Sequence, residues 1–150
     1  MPLELTVSTW TDERALSTED YIEIQQLYAR YNFAIDLRDV ETWLECFTVD
    51  GSLGMAVKEG DATPPPVTTG RDALRAQVQV IAASRAAAGY HWNANVHLTT
   101  SETGATGRCY FMLVRPKEGG GELSLTGYYQ DELVRLDGRW MFRSRRVHSL

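Results

Sequence analysis

A chain of 150 residues is the usual size of one domain and can bury a core without staples or metals. With 43% hydrophobic and 23% charged residues it has the balance of a globular protein, which argues against disorder. Fifteen Lys and Arg against twenty Asp and Glu give a net charge of -5, so neither nucleic acid nor an anionic membrane surface is an expected partner.

Residues 1–17, MPLELTVSTWTDERALS, show no clean period and read as an arm anchored by Trp10, ahead of one domain over 18–150. The arm has neither a basic nor an apolar leader segment, and no long apolar run follows it, so a soluble cytoplasmic protein is expected. From Thr18 the period turns helical: Tyr21, Ile24, Tyr28, Tyr31 and Ile35 recur at spacings of three and four. Ser17 and Thr18 are candidate N-caps, and Glu19 and Asp20 suit the positive end of the helix dipole. A shorter helix fits Val40 to Phe47, with Val40, Trp43, Leu44 and Phe47 inward, and a short strand fits Ser52 to Val57 after the Asp50-Gly51 turn. Residues 58–69, with Pro64 to Pro66, read as a stiff loop. Thr69 and Asp72 have capping-box spacing before a helix from about Asp72 to Ala87, with Leu74, Val78 and Ile81 inward.

After Gly89 the period changes to two. His91 to Thr100, Thr106 to Arg115, Glu122 to Leu136 and Arg139 to His148 read as strands, the last two joined at an Asp137-Gly138 hairpin turn. Helices first and a long antiparallel meander afterwards make an α+β fold, a cone-shaped barrel of helices on a curved antiparallel sheet that encloses a cavity. The outer face of such an open sheet predicts a homo-oligomer, a dimer or trimer.

No nucleotide-binding or metal-binding motif is present, and Cys46 and Cys109, the only cysteines, are too few for a disulfide framework or a thiolate cluster. No metal is expected. Asp36 stands among Ala34, Ile35 and Leu37, where a carboxylate loses hydration and becomes useful as a general acid or base. The plainer reading is a helix-end residue that caps or pairs with Arg38. In strict alternation His91, Asn93, Asn95 and His97 share one face of a strand, and Trp92, Ala94, Val96 and Leu98 the other. If the polar face lines the cavity, His91 is a proton carrier with amide neighbours; alternation leaves open which face turns inward. Arg143, Arg145 and Arg146 read as the solvated face of the last strand.

The stretch IQQLYARYNFAIDLRDVETWLECFTVDGSL, the GRDAL helix start, the HxxxN pattern at His91 to Asn95 and the terminal GYYQDELVRLDGRWMFRSRRV resemble the SnoaL-like branch of the nuclear-transport-factor-two-like superfamily. The resemblance covers nearly the whole chain after residue 18 and is closest to scytalone-dehydratase-like and bile-acid-dehydratase-like lyases. It implies a catalytic Asp–His pair at Asp36 and His91, assisted by Tyr31. On an ideal helix five residues are about 140° apart, so Tyr31 and Asp36 share a site only if the cavity wraps the helix. No counterpart of the second histidine of scytalone dehydratase is evident.

The resemblance further implies a lyase or isomerase that needs no cofactor and acts on a small apolar ring-bearing compound of polyketide, steroid or terpenoid type. Its cavity would be walled by Trp43, Phe47, Phe111 and Met112, with Asn95 beside the ligand. Tyr28, Tyr110 or Tyr129 would stand in for Tyr31 as the hydrogen-bond donor to a developing oxyanion. The same fold also serves non-catalytic ligand-binding scaffolds, the small subunits of ring-hydroxylating dioxygenases, and epoxide hydrolases.

Overall fold

The structure, a computed structural model, describes residues 16–55, 65–84 and 88–150, so Trp10 and almost all of the arm expected at 1–17 lie outside the described residues. Helix α1 runs Thr18–Asp36. Ser17 is its cap: the Ser17 Oγ accepts the Asp20 backbone N–H at 3.0 Å, satisfying one of the first turn's orphan donors. Its buried stripe is Ile24, Leu27, Tyr28, Tyr31 and Ala34, whereas Tyr21, expected on that stripe, is exposed. At its end Arg38 takes a left-handed φ of 61° and the Asp39 N–H returns to the Ala34 carbonyl at 2.8 Å. Asp39 then caps α2, Val40–Glu45, through Oδ1 to the Thr42 N–H at 3.1 Å. This tight junction drives Trp43 and Leu44 into the core.

Phe47, expected as the last inward residue of α2, instead opens β1, Phe47–Met55. The end of the expected loop is also a strand: β2, Val67–Thr69, pairs antiparallel with β1, Ser52 opposite Thr69, while loop residues 58–64 lie outside the described residues. Because Thr69 is held in that ladder, the Thr69–Asp72 capping box does not form. Gly70 caps α3, Arg71–Ala83, with no side-chain hydrogen bond. Ser84 is already extended, which ends α3 short of the expected Ala87.

The meander is β3 (Tyr90–Ser101), β4 (Gly104–Lys117), β5 (Gly120–Leu136) and β6 (Arg139–Ser149). The six strands lie in the order β2-β1-β6-β5-β4-β3, and β1 runs parallel to β6. The sheet is therefore mixed, not antiparallel throughout, and it is curved but not closed. Helix α1 lies across β3 and β6, and α3 covers β1 and β2.

Two bulges change which side chains face inward. In β3, Ala94 faces Tyr110 but His97 faces Arg108, so one extra residue is inserted, and Asn95 there has a φ of 57°. In β6, Ser144 faces Glu132 and Phe142 faces Leu133, which leaves Arg143 unpaired. Each insertion reverses the alternation downstream. His91 and Asn93 point inward before the first bulge, and Val96 and Leu98 after it. Trp140 and Phe142 point inward before the second, and Arg145 and Val147 after it. The core between helices and sheet is built on Ile24, Trp43, Phe47, Leu133 and Phe142, each at most 1% exposed.

Candidate active site

Helix α1 delivers Asp36 to the start of β3, where His91 is the second residue. The His91 Nδ1 lies 2.6 Å from the Asp36 Oδ1, and the His91 backbone N–H donates to the Asp36 Oδ2 at 2.9 Å. One turn earlier on the same helix face, the Asn32 Nδ2 donates to the His91 carbonyl at 3.3 Å. Both carboxylate oxygens are thus spent on His91, whose main chain is gripped from either side. The two side chains are 7% and 17% exposed, Asp36 the more buried. An ionised Asp36 fixes the Nδ1–H tautomer, so the Nε2 lone pair is the free basic site, and the carboxylate stabilises the imidazolium that forms when Nε2 takes a proton.

A pocket of about 260 Å³ opens over this pair. Its apolar wall is the Tyr28 ring, Ala29, Phe33 and Val96, and its polar groups besides the pair are Gln25, Asn32 and Asn93. Positions 25, 29, 32, 33 and 36 form one helical face. Of the residues expected to form the site, the structure brings together Asp36, His91 and Tyr28. The rest lie elsewhere.

Tyr31 sits on the side of α1 away from the pocket. It is 6% exposed and packed between Trp43, Phe47, Phe142 and Tyr129, as a 140° offset from Asp36 on an undistorted helix requires. Trp43 and Phe47 belong to the same aromatic core, and Tyr129 is stacked on Phe111 with centroids 4.6 Å apart. Tyr110 and Met112 alternate with the inward Cys109, Phe111 and Leu113 and so face outward from β4. Asn95 is exposed at the bulge. The Tyr28 hydroxyl is committed as well, since it donates to the Asp131 Oδ2.

That bond belongs to a buried network. Arg145, expected on a solvated strand face, is fully buried, because the bulge at Arg143 turns it inward. Its Nε and Nη2 each donate to Asp131 at 2.8 Å. The guanidinium carbon lies 4.9, 4.2, 3.9 and 4.0 Å from the ring centres of Tyr28, Tyr31, Tyr129 and Phe142. Burial works against the charge, but Asp131 outweighs it and holds Arg145 protonated, well above the ordinary guanidinium range. Gly107 makes room for the network: a Cβ there would overlap the Tyr28 hydroxyl. Sequence reasoning missed Asp131, Gln25, Asn32 and Phe33. The last three were within reach of helical spacing counted back from Asp36.

A helix-covered, curved, open mixed sheet with a pocket between helix and sheet is the α+β cone of the cystatin-like and nuclear-transport-factor-two-like proteins. The SnoaL-like domain model matches residues 16–146, and the chain belongs to that family. No curated protein matches it. Among solved structures it is similar to a protein of unknown function from Mycobacterium tuberculosis, at 31% identity over 88% of this chain and 72% of that one, with a TM-score of 0.74. It is also similar to Aln2 from a Streptomyces species, at 25% identity over 91% and 94%, TM-score 0.75. A third is a scytalone dehydratase candidate from Novosphingobium aromaticivorans, at 25% identity over 89% of each chain, TM-score 0.70.

Proposed function

We propose that the protein is a cofactor-independent acid–base lyase or isomerase acting on a small apolar ring-bearing compound. The observation that carries this is the 2.6 Å His91 Nδ1–Asp36 Oδ1 contact in the wall of a largely apolar pocket. Family membership and the similarity to the scytalone dehydratase candidate support it. The His91 Nε2 removes a proton from a carbon next to a carbonyl, and Asp36 stabilises the imidazolium. In dehydration the C–H electron pair forms a double bond as the C–O bond to a β-hydroxyl breaks, and that oxygen takes the proton from Nε2 and leaves as water. In isomerisation the same proton returns to another carbon. A pocket of about 260 Å³ is below the roughly 300–1,000 Å³ usual for drug-sized ligands, which favours one- or two-ring compounds of polyketide or terpenoid type over a four-ring steroid.

The test is a panel of neutral ring hydroxy ketones, with formation of the conjugated product followed by ultraviolet absorbance beside thermal melts of the same preparations. His91→Ala is expected to stay folded and to lose turnover far beyond any change in melting temperature, since it leaves the Asp36 carboxylate without its ring partner but beside the open pocket. A His91→Ala protein that is destabilised, with activity falling only in step with folded protein, would identify the pair as structural instead.

A further inference from the structure

The geometry points to Asn93, with Asn32 beside it, as the group that orients and selects the ligand: the pocket takes a neutral ring compound carrying both a hydrogen-bond acceptor and a donor, and rejects anions. The inference rests on the reading that this pocket is the ligand site, but it concerns binding and not turnover.

Two of the pocket's polar side chains are already committed. Both Asp36 oxygens are occupied by His91, and the Tyr28 hydroxyl by Asp131. Buried polar groups are ordinarily hydrogen-bonded, and one left unpaired costs about 1–3 kcal/mol. The Asn93 Nδ2 and Oδ1 are both buried and have no protein partner, and neither has the Asn32 Oδ1 on a side chain whose residue is 7% exposed. All three atoms belong to residues of the pocket wall. The bulge after Ala94 keeps Asn93 on the inward face with His91 while turning Asn95 out, so the strand offers one amide, not two, to a ligand.

These atoms present one amide NH₂ group as donor and two carbonyl acceptors. A ligand carbonyl matches the donor, and a ligand hydroxyl matches an acceptor. A hydrocarbon or a bare ketone leaves acceptors unpaired. An anion meets two amide carbonyls and the Asp36 carboxylate, and the pocket wall holds no Lys or Arg to offset them.

The test is calorimetric or NMR titration of the intact protein with three probes of similar size: 3-hydroxyacetophenone, acetophenone and 3-hydroxybenzoate. The hydroxy ketone is expected to bind about tenfold or more tightly than either of the others. In Asn93→Leu, a near-isosteric change, the preference over acetophenone is expected to shrink to about threefold or less. Should Asn93→Leu fail to fold, the unmodified protein still decides. Its Asn93 side-chain ¹⁵N–H₂ resonance shifts on titration with the hydroxy ketone, and acetophenone moves it only at about tenfold higher concentration. Equal binding of the three probes, tightest binding of the benzoate, an unmoved Asn93 resonance, or a preference undiminished in folded Asn93→Leu would overturn the proposal. The preference is also read in His91→Ala, so turnover retained by that variant with selectivity intact sinks the acid–base reading alone, and turnover lost with no selectivity in the parent sinks this one alone.

Discussion

Replacing Asp131 by Asn leaves the shape of the core almost unchanged but strands a guanidinium where water does not reach. Arg145 and Asp131 are 0% and 2% exposed and joined by two bonds of 2.8 Å, so screening offers no relief. Removing one partner of such a pair costs about 3–5 kcal/mol. In a chain of this length each kcal/mol moves the melting temperature by about 2–4 °C, so Asp131→Asn is expected to melt about 6–20 °C below the parent. Arg145→Lys keeps the charge but loses the planar fork and its packing among four rings, and is expected to lose stability too. The Asp131→Leu/Arg145→Met double variant removes both charges and is expected to recover most of the loss. Urea unfolding of Asp131→Leu, Arg145→Met and their double closes a cycle whose coupling energy isolates the pair. A loss below about 1 kcal/mol for Asp131→Asn, the range of exposed ion pairs, would refute the claim that the pair is buried and interdependent.

Burial pushes the Cys46 thiol up to about 11 and the Cys109 thiol up to about 12, so iodoacetamide at pH 8 is expected to label neither in the folded protein and both after unfolding in urea. His148, stacked on Tyr128 at 4.3 Å, is held below the ordinary imidazole range by burial and then by Arg108 and Arg146. Between that lowered value and 6.5 the unfolded chain binds the extra proton, so this residue's contribution falls as pH drops through the window. His148→Asn is expected to lose less stability than the parent between pH 7.5 and 5, and equal slopes in urea midpoints would count against this. Tyr31→Phe, a change in the core, is expected to lower the melting temperature while leaving ligand affinity in the pocket unchanged, and a weakened ligand titration would place Tyr31 in the site after all. Tyr90 and Trp92 are more than half exposed on the edge strand β3, and light scattering at micromolar concentration is expected to find two or three chains associated. A monomer mass would contradict it.

The helices and the meander were legible because their periods are long and unambiguous, as was Asp36, an acid at the end of an apolar helical stretch. Failures trace to single-residue events that no period reveals. An extra residue at Asn95 and another at Arg143 each reverse the alternation, so Val96 joins His91 on the inward face and Arg145 leaves the charged surface for the core. Three residues, Val67–Thr69, are too few to show a period and became a strand through pairing with β1. Tyr31 was attached to the site by resemblance, against a helical geometry that already turned it away. Tertiary pairing also fixed the Tyr28 hydroxyl on Asp131, 103 residues distant, and such a partnership leaves no mark in local sequence.

Proton abstraction by His91 is tested most directly by hydrogen–deuterium exchange, which needs no leaving group and no knowledge of the natural substrate. In D₂O buffer, ¹H NMR follows loss of the protons next to the carbonyl of 6-hydroxy-2-tetralone, a neutral two-ring hydroxy ketone, with and without protein. The parent is expected to speed exchange above the buffer rate, His91→Ala to return it to that rate, and Asp36→Asn to lower it about a hundredfold, by the loss of the group that orients the base. Exchange no faster than buffer with the parent, or a well-folded His91→Ala that retains the parent's rate, would contradict the account.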